Sequence, residues 1–201
     1  MTDRSNGYDL IADRFLATRS DIGVEVVRDW ARALPLGSSI LDIGCGSGWP
    51  VATTLAEAGH RLAGIDPSPT LLAAFRRAVP DADTAFEAAE DSRFFGRRFD
   101  GAVAVGLLFL LPEAAQAAQA AQAALIARVG RALHPGGGFL FTAPRIAATW
   151  RDMLTGRVSR SLGEGAYRAL LAGAGFHPPR IIADTGGNDW FTAVAGSTDR
   201  A

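Results

Sequence analysis

A short apolar segment runs into three alternating glycines, and this arrangement restricts the possible folds more than any other feature. Residues 39–43 have strand character, Gly44, Gly46 and Gly48 follow, and residues 50–58 are compatible with a helix. A buried strand that passes through a glycine turn into a helix lets a ligand approach the backbone, because glycine has no side chain and the first helical N–H groups lack partners. We therefore expect a ligand site at this turn.

Strand and helix patterns alternate along most of the chain. The predicted helices are 8–19, 21–34, 50–58, 69–78, 113–133 and 164–174, and the predicted strands are 39–43, 61–65, 84–88, 100–105, 138–142, 180–183 and 190–195. Repeated βα units favour a parallel sheet with helices on both faces and ligands beyond the carboxyl ends of the strands. The last two strands are predicted to form a hairpin, and residues 145–162 are expected to be irregular.

Composition and charge exclude several classes of protein. The 201 residues carry a net charge of −1, which gives no electrostatic reason to expect nucleic acid or an anionic membrane as a partner. The single cysteine, Cys45, excludes an internal disulfide and a multi-cysteine zinc site, and no metal is predicted. No apolar stretch reaches the ~18 residues of a membrane span, and the first residues lack a secretory pattern, so we predict a cytoplasmic protein.

Two acidic residues indicate which ligand the glycine turn would bind. Asp42 precedes the first glycine by two residues, where a carboxylate disfavours a pyrophosphate and favours an amino group. Asp66 ends the second predicted strand, where it can accept hydrogen bonds from both hydroxyls of a ribose. These residues favour a cationic nucleotide that bears an amino acid over a dinucleotide.

The two acids lie in motifs that resemble the S-adenosylmethionine site of class I methyltransferases. The motifs are Leu-Asp-Ile-Gly-Cys-Gly-Ser-Gly at 41–48 and Gly-Ile-Asp-Pro-Ser at 64–68, and the likeness extends over roughly residues 8–197. It implies a Rossmann-like, doubly wound α/β fold with strand order 3-2-1-4-5-7-6 and strand 7 antiparallel. It also implies one methyltransferase domain over 1–201, made of cap helices (1–36), a cofactor-binding core (37–144) and a substrate-side segment with the closing hairpin (145–201).

The resemblance assigns the cofactor site residue by residue. Asp42 would hold the methionine ammonium group and Asp66 the ribose, whereas Cys45 packs in the turn and is not a nucleophile. An acid after the third strand would recognise the adenine, and Glu90 and Asp91 are equal candidates for that place. The full set of expected S-adenosylmethionine contacts is Tyr8, Arg19, Asp42, Gly44, Cys45, Gly46, Asp66, Pro67, Glu90, Asp91 and Gly106. Within this set the resemblance gives Arg19 the methionine carboxylate and places Gly106 beside the sulfonium.

Motifs that are missing after the fourth strand restrict the methyl acceptor. Residues 105–109 read Val-Gly-Leu-Leu-Phe. Enzymes that methylate the exocyclic amines of bases resemble one another in an Asn/Asp-Pro-Pro-Tyr/Phe motif at this place, which this chain lacks. Magnesium-dependent catechol enzymes have an acidic residue here to hold the metal, and this chain has none. We therefore expect a small, partly apolar organic acceptor, with oxygen or nitrogen favoured over carbon as the methylated atom. The protein is expected to be a monomer or a homodimer. No histidine is placed to act as a base, so no catalytic residue is assigned. Weaker candidates for substrate contact are Phe109, Arg145, Trp150, Asn188 and Trp190.

Two other functions remain open at this point. An NAD-dependent oxidoreductase would also use a glycine turn and an acid after the second strand, but it requires Gly-x-Gly-x-x-Gly, and residue 49 is Trp. A non-catalytic S-adenosylmethionine-binding partner protein would account for the missing base. The Ala/Gln repeat at 113–125 predicts a solvated extension of the helix after the fourth strand, with a helix contact to another subunit as the alternative.

Overall fold

The computed structural model describes residues 3–111 and 115–197, which contain nine strands and six α-helices. The first residues of the Ala/Gln repeat, 113 and 114, lie outside these ranges. The helices are α1 (Ala12–Thr18), α2 (Val24–Arg32), α3 (Val51–Glu57), α4 (Pro69–Ala78), α5 (Ala115–Ala132) and α6 (Glu164–Gly173). The strands are β1 (Ser39–Ile43), β2 (Arg61–Ile65), β3 (Asp83–Ala85), β4 (Phe99–Ala104), β5 (Leu133–Thr142), β6 (Ala148–Arg151), β7 (Val158–Ser161), β8 (Arg180–Ala183) and β9 (Asp189–Val194).

Seven of these strands form one sheet in the order β3-β2-β1-β4-β5-β9-β8. Strands β1 to β5 pair in parallel, whereas β9 runs antiparallel to both β5 and β8. The predicted α/β fold and strand order are therefore confirmed, with β8 and β9 as the last two strands of the sheet. Because the parallel strands all end at the same edge, the turns after β1, β2 and β4 converge there.

Residues 145–162, predicted to be irregular, contain a β-hairpin, and that prediction is wrong. Strands β6 and β7 pair antiparallel, with Ala148 opposite Ser161 and Arg151 opposite Val158. The hairpin turns where Asp152 Oδ1 accepts the N–H groups of Leu154 at 3.0 Å and Thr155 at 2.7 Å. A local carboxylate that satisfies turn N–H groups stabilises such a reversal.

The two faces of the sheet are covered by different sets of helices. On one face the indole of α2 residue Trp30 packs where Gly101 and Gly138 lack side chains; a Cβ at Gly101 would lie 2.8 Å from Trp30 Cη2. The other face is aromatic, with Phe141 and Phe191 stacked at 4.9 Å between ring centroids. These buried contacts fix the strands whose carboxyl ends form the site.

One glutamine of the Ala/Gln repeat is part of the core, contrary to the prediction of a solvated extension. Gln122 is fully buried, and its side chain accepts the Tyr167 hydroxyl at 2.8 Å and donates to the Arg160 carbonyl at 3.0 Å. The helix α5 is therefore tied through Gln122 to α6 and to β7. Across the described ranges, no helix is both long and apolar enough to cross a bilayer.

Candidate cofactor and acceptor site

The glycine turn after β1 forms the floor of a cavity at the carboxyl edge of the sheet. Gly44 and Cys45 both donate their N–H groups to the Ile65 carbonyl, at 2.9 and 3.0 Å, which ties the turn to the end of β2. Gly44 has a φ of +69°, and a Cβ there would lie 3.1 Å from Leu107 Cδ1. A side chain at this position would be strained and would press on the opposite wall, so glycine keeps the floor open.

The first cavity has a volume of about 400 Å³ and collects most of the residues expected to bind the cofactor. Those on its wall are Tyr8, Arg19, Gly44, Gly46, Asp66, Pro67, Glu90 and Gly106, together with the substrate candidate Phe109. Cys45 is buried in the core between α3, α4 and the sheet, where its side chain packs with Phe75 and Leu72. The remaining expected residues, Asp42 and Asp91, lie close by but outside the wall.

Asp66 presents a fixed carboxylate to this cavity. Its Oδ2 accepts the Gly46 N–H at 2.8 Å, and its Oδ1 accepts the Ser68 N–H at 2.8 Å. Burial raises the pKa of Asp66 to about 6, although the hydrogen bonds from Ser68 and Gly46 lower it. Each oxygen keeps a lone pair for a further donor, so the side chain is ready to accept two hydroxyl groups.

Asp42 lies in β1, two residues before the glycine that begins the floor of the cavity. The residue is only 3% exposed, and its Oδ2 makes no hydrogen bond within the described part of the chain. Burial and, to a lesser extent, the nearby charge of Asp66 raise the pKa of Asp42 to about 7, although Arg19 acts to lower it. A buried carboxyl oxygen without a donor is costly unless a ligand or water supplies one.

Two residues that flank helix α1, Tyr8 before it and Arg19 after it, line the first cavity. The Arg19 Nε donates to the Trp49 carbonyl at 3.0 Å, and its guanidinium lies 5.0 Å from the centre of the Phe15 ring. The Tyr8 hydroxyl donates to Asp152 Oδ2 at 3.3 Å. Burial raises the pKa of Tyr8, and the neighbouring Asp152 carboxylate raises it further, so this hydroxyl stays protonated and acts as a donor.

The two acidic residues that were alternative candidates for the adenine contact have different surroundings. Glu90 lies on the wall of the first cavity, and the guanidinium of Arg128 holds the carbonyl groups of Ala89 and Glu90 in place. Asp91 instead pairs with Arg4 at 2.8 Å, and its side chain is 62% exposed. Only Glu90 therefore faces the space that a nucleoside would fill.

A second cavity of about 540 Å³ adjoins the first and contains four of the five substrate candidates. Phe109, Trp150, Asn188 and Trp190 are on its wall, whereas the side chain of Arg145 pairs with Glu164 at 2.9 Å outside both cavities. The two cavities share the wall residues Arg19, Val105, Gly106, Phe109 and Asp152. A group bound in one cavity can therefore meet a group bound in the other.

The sequence placed residues 1–36 in cap helices and gave Tyr8 a cofactor contact, but it did not indicate that residues 3–6 also line the first cavity. Asp3 pairs with Arg157 at 2.9 Å, which joins this segment to the end of the β6–β7 hairpin. Asn6 lines the cavity, and its buried Nδ2 makes no hydrogen bond within the described residues. The Ser-Asn-Gly sequence at 5–7 signals a turn, but nothing local indicates what it would cover.

Among the described residues no cluster of three or more His, Cys, Asp or Glu side chains could hold a metal ion.

Comparisons with known proteins identify a methyltransferase domain in this chain and a fold shared with solved methyltransferase structures. A family model described as a methyltransferase domain matches residues 40–137. No curated protein sequence matches the chain.

Among solved structures, the CcbJ methyltransferase from Streptomyces caelestis shares 18% identity over 98% of this chain and 100% of its own, with a TM-score of 0.78. Magnesium protoporphyrin IX methyltransferase from Synechocystis PCC 6803 shares 14% over 98% of each chain, with a TM-score of 0.71. The 1,6-didemethyltoxoflavin-N1-methyltransferase from Burkholderia thailandensis shares 18% over 98% of this chain and 92% of its own, with a TM-score of 0.70. The chain therefore contains a methyltransferase domain over residues 40–137 and has the fold of methyltransferases of known structure.

Proposed function

We propose that the chain transfers a methyl group from S-adenosylmethionine to a small, partly apolar organic molecule. The observation that carries this proposal is the pair of buried carboxyl groups at the ends of β1 and β2. Asp66 is fixed by two backbone N–H groups, and Asp42 has an oxygen without a donor. An S-adenosylmethionine molecule has hydroxyl groups for the first and an ammonium group for the second, bound directly or through water.

The cofactor supplies a methyl group on a positively charged sulfur, so that the acceptor's lone pair forms the new bond while the S–C electron pair returns to sulfur. The protein has to position both molecules and exclude water. Asp66 and Glu90 would fix the nucleoside, while Arg19 and Tyr8 would hold the methionine end. Gly106 has no Cβ to obstruct the wall that both cavities share. Two methyltransferases of similar fold, named for magnesium protoporphyrin IX and for 1,6-didemethyltoxoflavin, support a small acceptor for this chain.

The alternatives have less support. The oxidoreductase hypothesis requires a pyrophosphate close to Asp42, which is buried and raised in pKa to about 7, and the chain matches a methyltransferase domain. A non-catalytic binding protein would not need the second cavity beside the cofactor. We further propose a single domain acting as a cytoplasmic monomer or homodimer without nucleic-acid or membrane partners, in keeping with a net charge of −1.

Calorimetry with S-adenosylhomocysteine and with NAD tests the proposal. We expect binding of the homocysteine nucleoside with a dissociation constant on the order of micromolar and no measurable binding of NAD. Labelled S-adenosylmethionine and a panel of amines, phenols and carboxylic acids then test transfer. Tight NAD binding without homocysteine-nucleoside binding would overturn the proposal, and failure to label any acceptor would favour the non-catalytic alternative.

The pair Glu90 and Asp91 provides a matched test of the adenine contact. Glu90→Gln is expected to weaken S-adenosylhomocysteine binding about tenfold, because the cavity wall loses one charged acceptor for the adenine amino group. Asp91→Asn changes the same charge one residue further on, outside the wall, and is expected to leave the affinity unchanged. Calorimetry on both variants measures the difference, and equal losses in the two would contradict this assignment.

A further inference from the structure

The second cavity is lined by carboxylate and aromatic side chains. Its titratable residues are Arg19, Asp152 and Asp189. Three aromatic side chains, Phe109, Trp150 and Trp190, form further parts of the wall. A cavity with more negative than positive side chains and with aromatic surfaces is suited to an organic cation.

We infer that this cavity binds the methyl acceptor as an amine, protonated when it enters and carried on an apolar or aromatic body. The inference rests on the proposed function and specifies its substrate class. It distinguishes nitrogen from the oxygen and carbon acceptors that the sequence left open.

The one cationic residue on the wall is already engaged. Arg19 lies close enough to the buried Asp42 for the carboxylate to raise the pKa of its guanidinium, although burial lowers it more, and its Nε donates to the Trp49 carbonyl. Asp152 uses Oδ1 for the hairpin turn, and among the described residues its Oδ2 accepts only the Tyr8 hydroxyl, at 3.3 Å. Asp189 accepts the backbone N–H of Arg145 with Oδ2 at 3.1 Å. The hydrogen bonds to both carboxylates thus come from neutral donors, and both residues line the cavity.

The aromatic residues give the cavity a surface for the rest of the acceptor. Phe109 and Trp150 contact each other with ring centroids 5.4 Å apart and planes tilted by 47°. Trp190 is 2% exposed, and its Nε1–H donates to Asp184 at 2.8 Å, which fixes the ring. Ring faces attract cations and cover apolar surface at the same time. A carboxylic acid or phenolate would gain the apolar contact but would be repelled by Asp152 and Asp189.

Asp152 lies on the wall that both cavities share, where the acceptor atom has to meet the methyl group. During transfer the positive charge moves from sulfur to the acceptor nitrogen. A carboxylate fixed beside that nitrogen stabilises the charge as it develops. The amine reacts with its free lone pair, so one proton leaves the ammonium group to solvent before transfer, and the methylated product keeps the charge. Asp152 is therefore assigned to position the amine.

The test compares three ligands of similar shape on the full chain saturated with S-adenosylhomocysteine: phenethylamine, 2-phenylethanol and phenylacetate. Tryptophan fluorescence and calorimetry measure their binding, which does not depend on turnover. We expect the amine to bind at least about tenfold more tightly than either of the others. Asp152→Asn keeps an oxygen for the hairpin turn and is expected to remove most of this preference, as is Asp189→Asn. Asp81→Asn, on the exposed loop before β3, is the control and is expected to keep the preference.

The outcomes separate this inference from the proposed function. Failure of S-adenosylhomocysteine to bind would remove the proposed function and the inference with it. With the nucleoside bound, a cavity that prefers the alcohol or the acid, or that fails to bind the amine at about 10 mM, overturns the amine assignment alone. An amine preference that survives both Asp152→Asn and Asp189→Asn also overturns it.

Discussion

Replacing Asp66 with alanine is expected to weaken S-adenosylhomocysteine binding at least about a hundredfold. A hydrogen bond to a charged group contributes about 1.5–3 kcal/mol, and this carboxylate is placed to accept two from the ribose hydroxyls. Its oxygens accept the N–H groups of Gly46 and Ser68 at 2.8 Å each, so the side chain loses little conformational freedom when the ligand binds. Calorimetry at pH 8, where the carboxyl group is ionised, measures the effect.

The alanine variant also removes acceptors from two backbone N–H groups, so its folding has to be checked. Asp66→Asn is the second variant, because its Oδ1 still accepts from Ser68 while the charge and one acceptor are lost. We expect it to be folded and still at least about tenfold weaker in binding. Asp81→Ala, at an exposed position, is the matched control. Binding within threefold of the unchanged chain by a folded Asp66→Ala variant would refute the ribose assignment.

Asp42→Asn is expected to have opposite effects on stability and on binding. Displacement of the Asp42 pKa from near 4 to about 7 corresponds to roughly 4 kcal/mol of destabilisation of the ionised native state. The amide avoids this cost but leaves a buried polar group without a partner, so we expect a gain of about 2 kcal/mol in the free energy of unfolding at pH 8. The same variant should bind S-adenosylhomocysteine at least about a hundredfold more weakly, because the ammonium group loses its counter-charge.

The pH dependence of the ligand-free protein provides an independent check on Asp42 and Asp66. Their native pKa values, about 7 and about 6, lie above the ordinary value near 4. The native state therefore holds more protons than the unfolded state between pH 4 and 7. The contribution of these groups to stability is full below pH 4 and is lost as the pH rises through 6 and 7. Denaturant unfolding at several pH values should show a smaller loss in Asp42→Asn.

Ligand binding should have the reverse pH dependence. An ammonium group beside Asp42 favours the carboxylate, so binding releases the proton that the free protein holds below pH 7. Affinity for S-adenosylhomocysteine should therefore rise from pH 5 to pH 7 and level off above pH 8, and the rise should be smaller in Asp42→Asn. Equal pH profiles in the two proteins would show that Asp42 does not titrate with the ligand.

Local sequence signals predicted the core of the fold because the chemistry there is local. Strands β1, β2 and β8 and helix α4 begin and end at the predicted residues. At the front of α4, Ser68 caps the helix by accepting the Leu71 N–H, and a proline follows it. The glycine turn and Asp66 are similarly specified by adjacent residues. The motif that suggested the family is thus also the part of the site whose geometry depends most on residues adjacent in the sequence.

Features that depend on distant contacts were not predictable from these signals. The Pro-Gly-Gly segment at 135–137 reads as a turn, but it lies within β5, where Gly137 accepts from Ala195 at 2.8 Å. The cover of the first cavity joins residues far apart in the chain, as in the contact between Tyr8 and Asp152. Glu90 and Asp91 are adjacent acids in one turn, so only the position of Arg4 in space separates them. Sequence spacing has no information about any of these partners.

The course of the last strand has a practical consequence for experiments on this enzyme. Residues 3–8 lie over the mouth of the first cavity, whereas β9 runs antiparallel to β5 and ends with Val194 opposite Gly138, away from the carboxyl edge. A fluorophore, affinity handle or surface tether attached ahead of residue 3 would crowd the wall of the first cavity, to which Asp3, Arg4 and Ser5 contribute. The same attachment made beyond β9 would project from the far side of the sheet and leave that cavity clear.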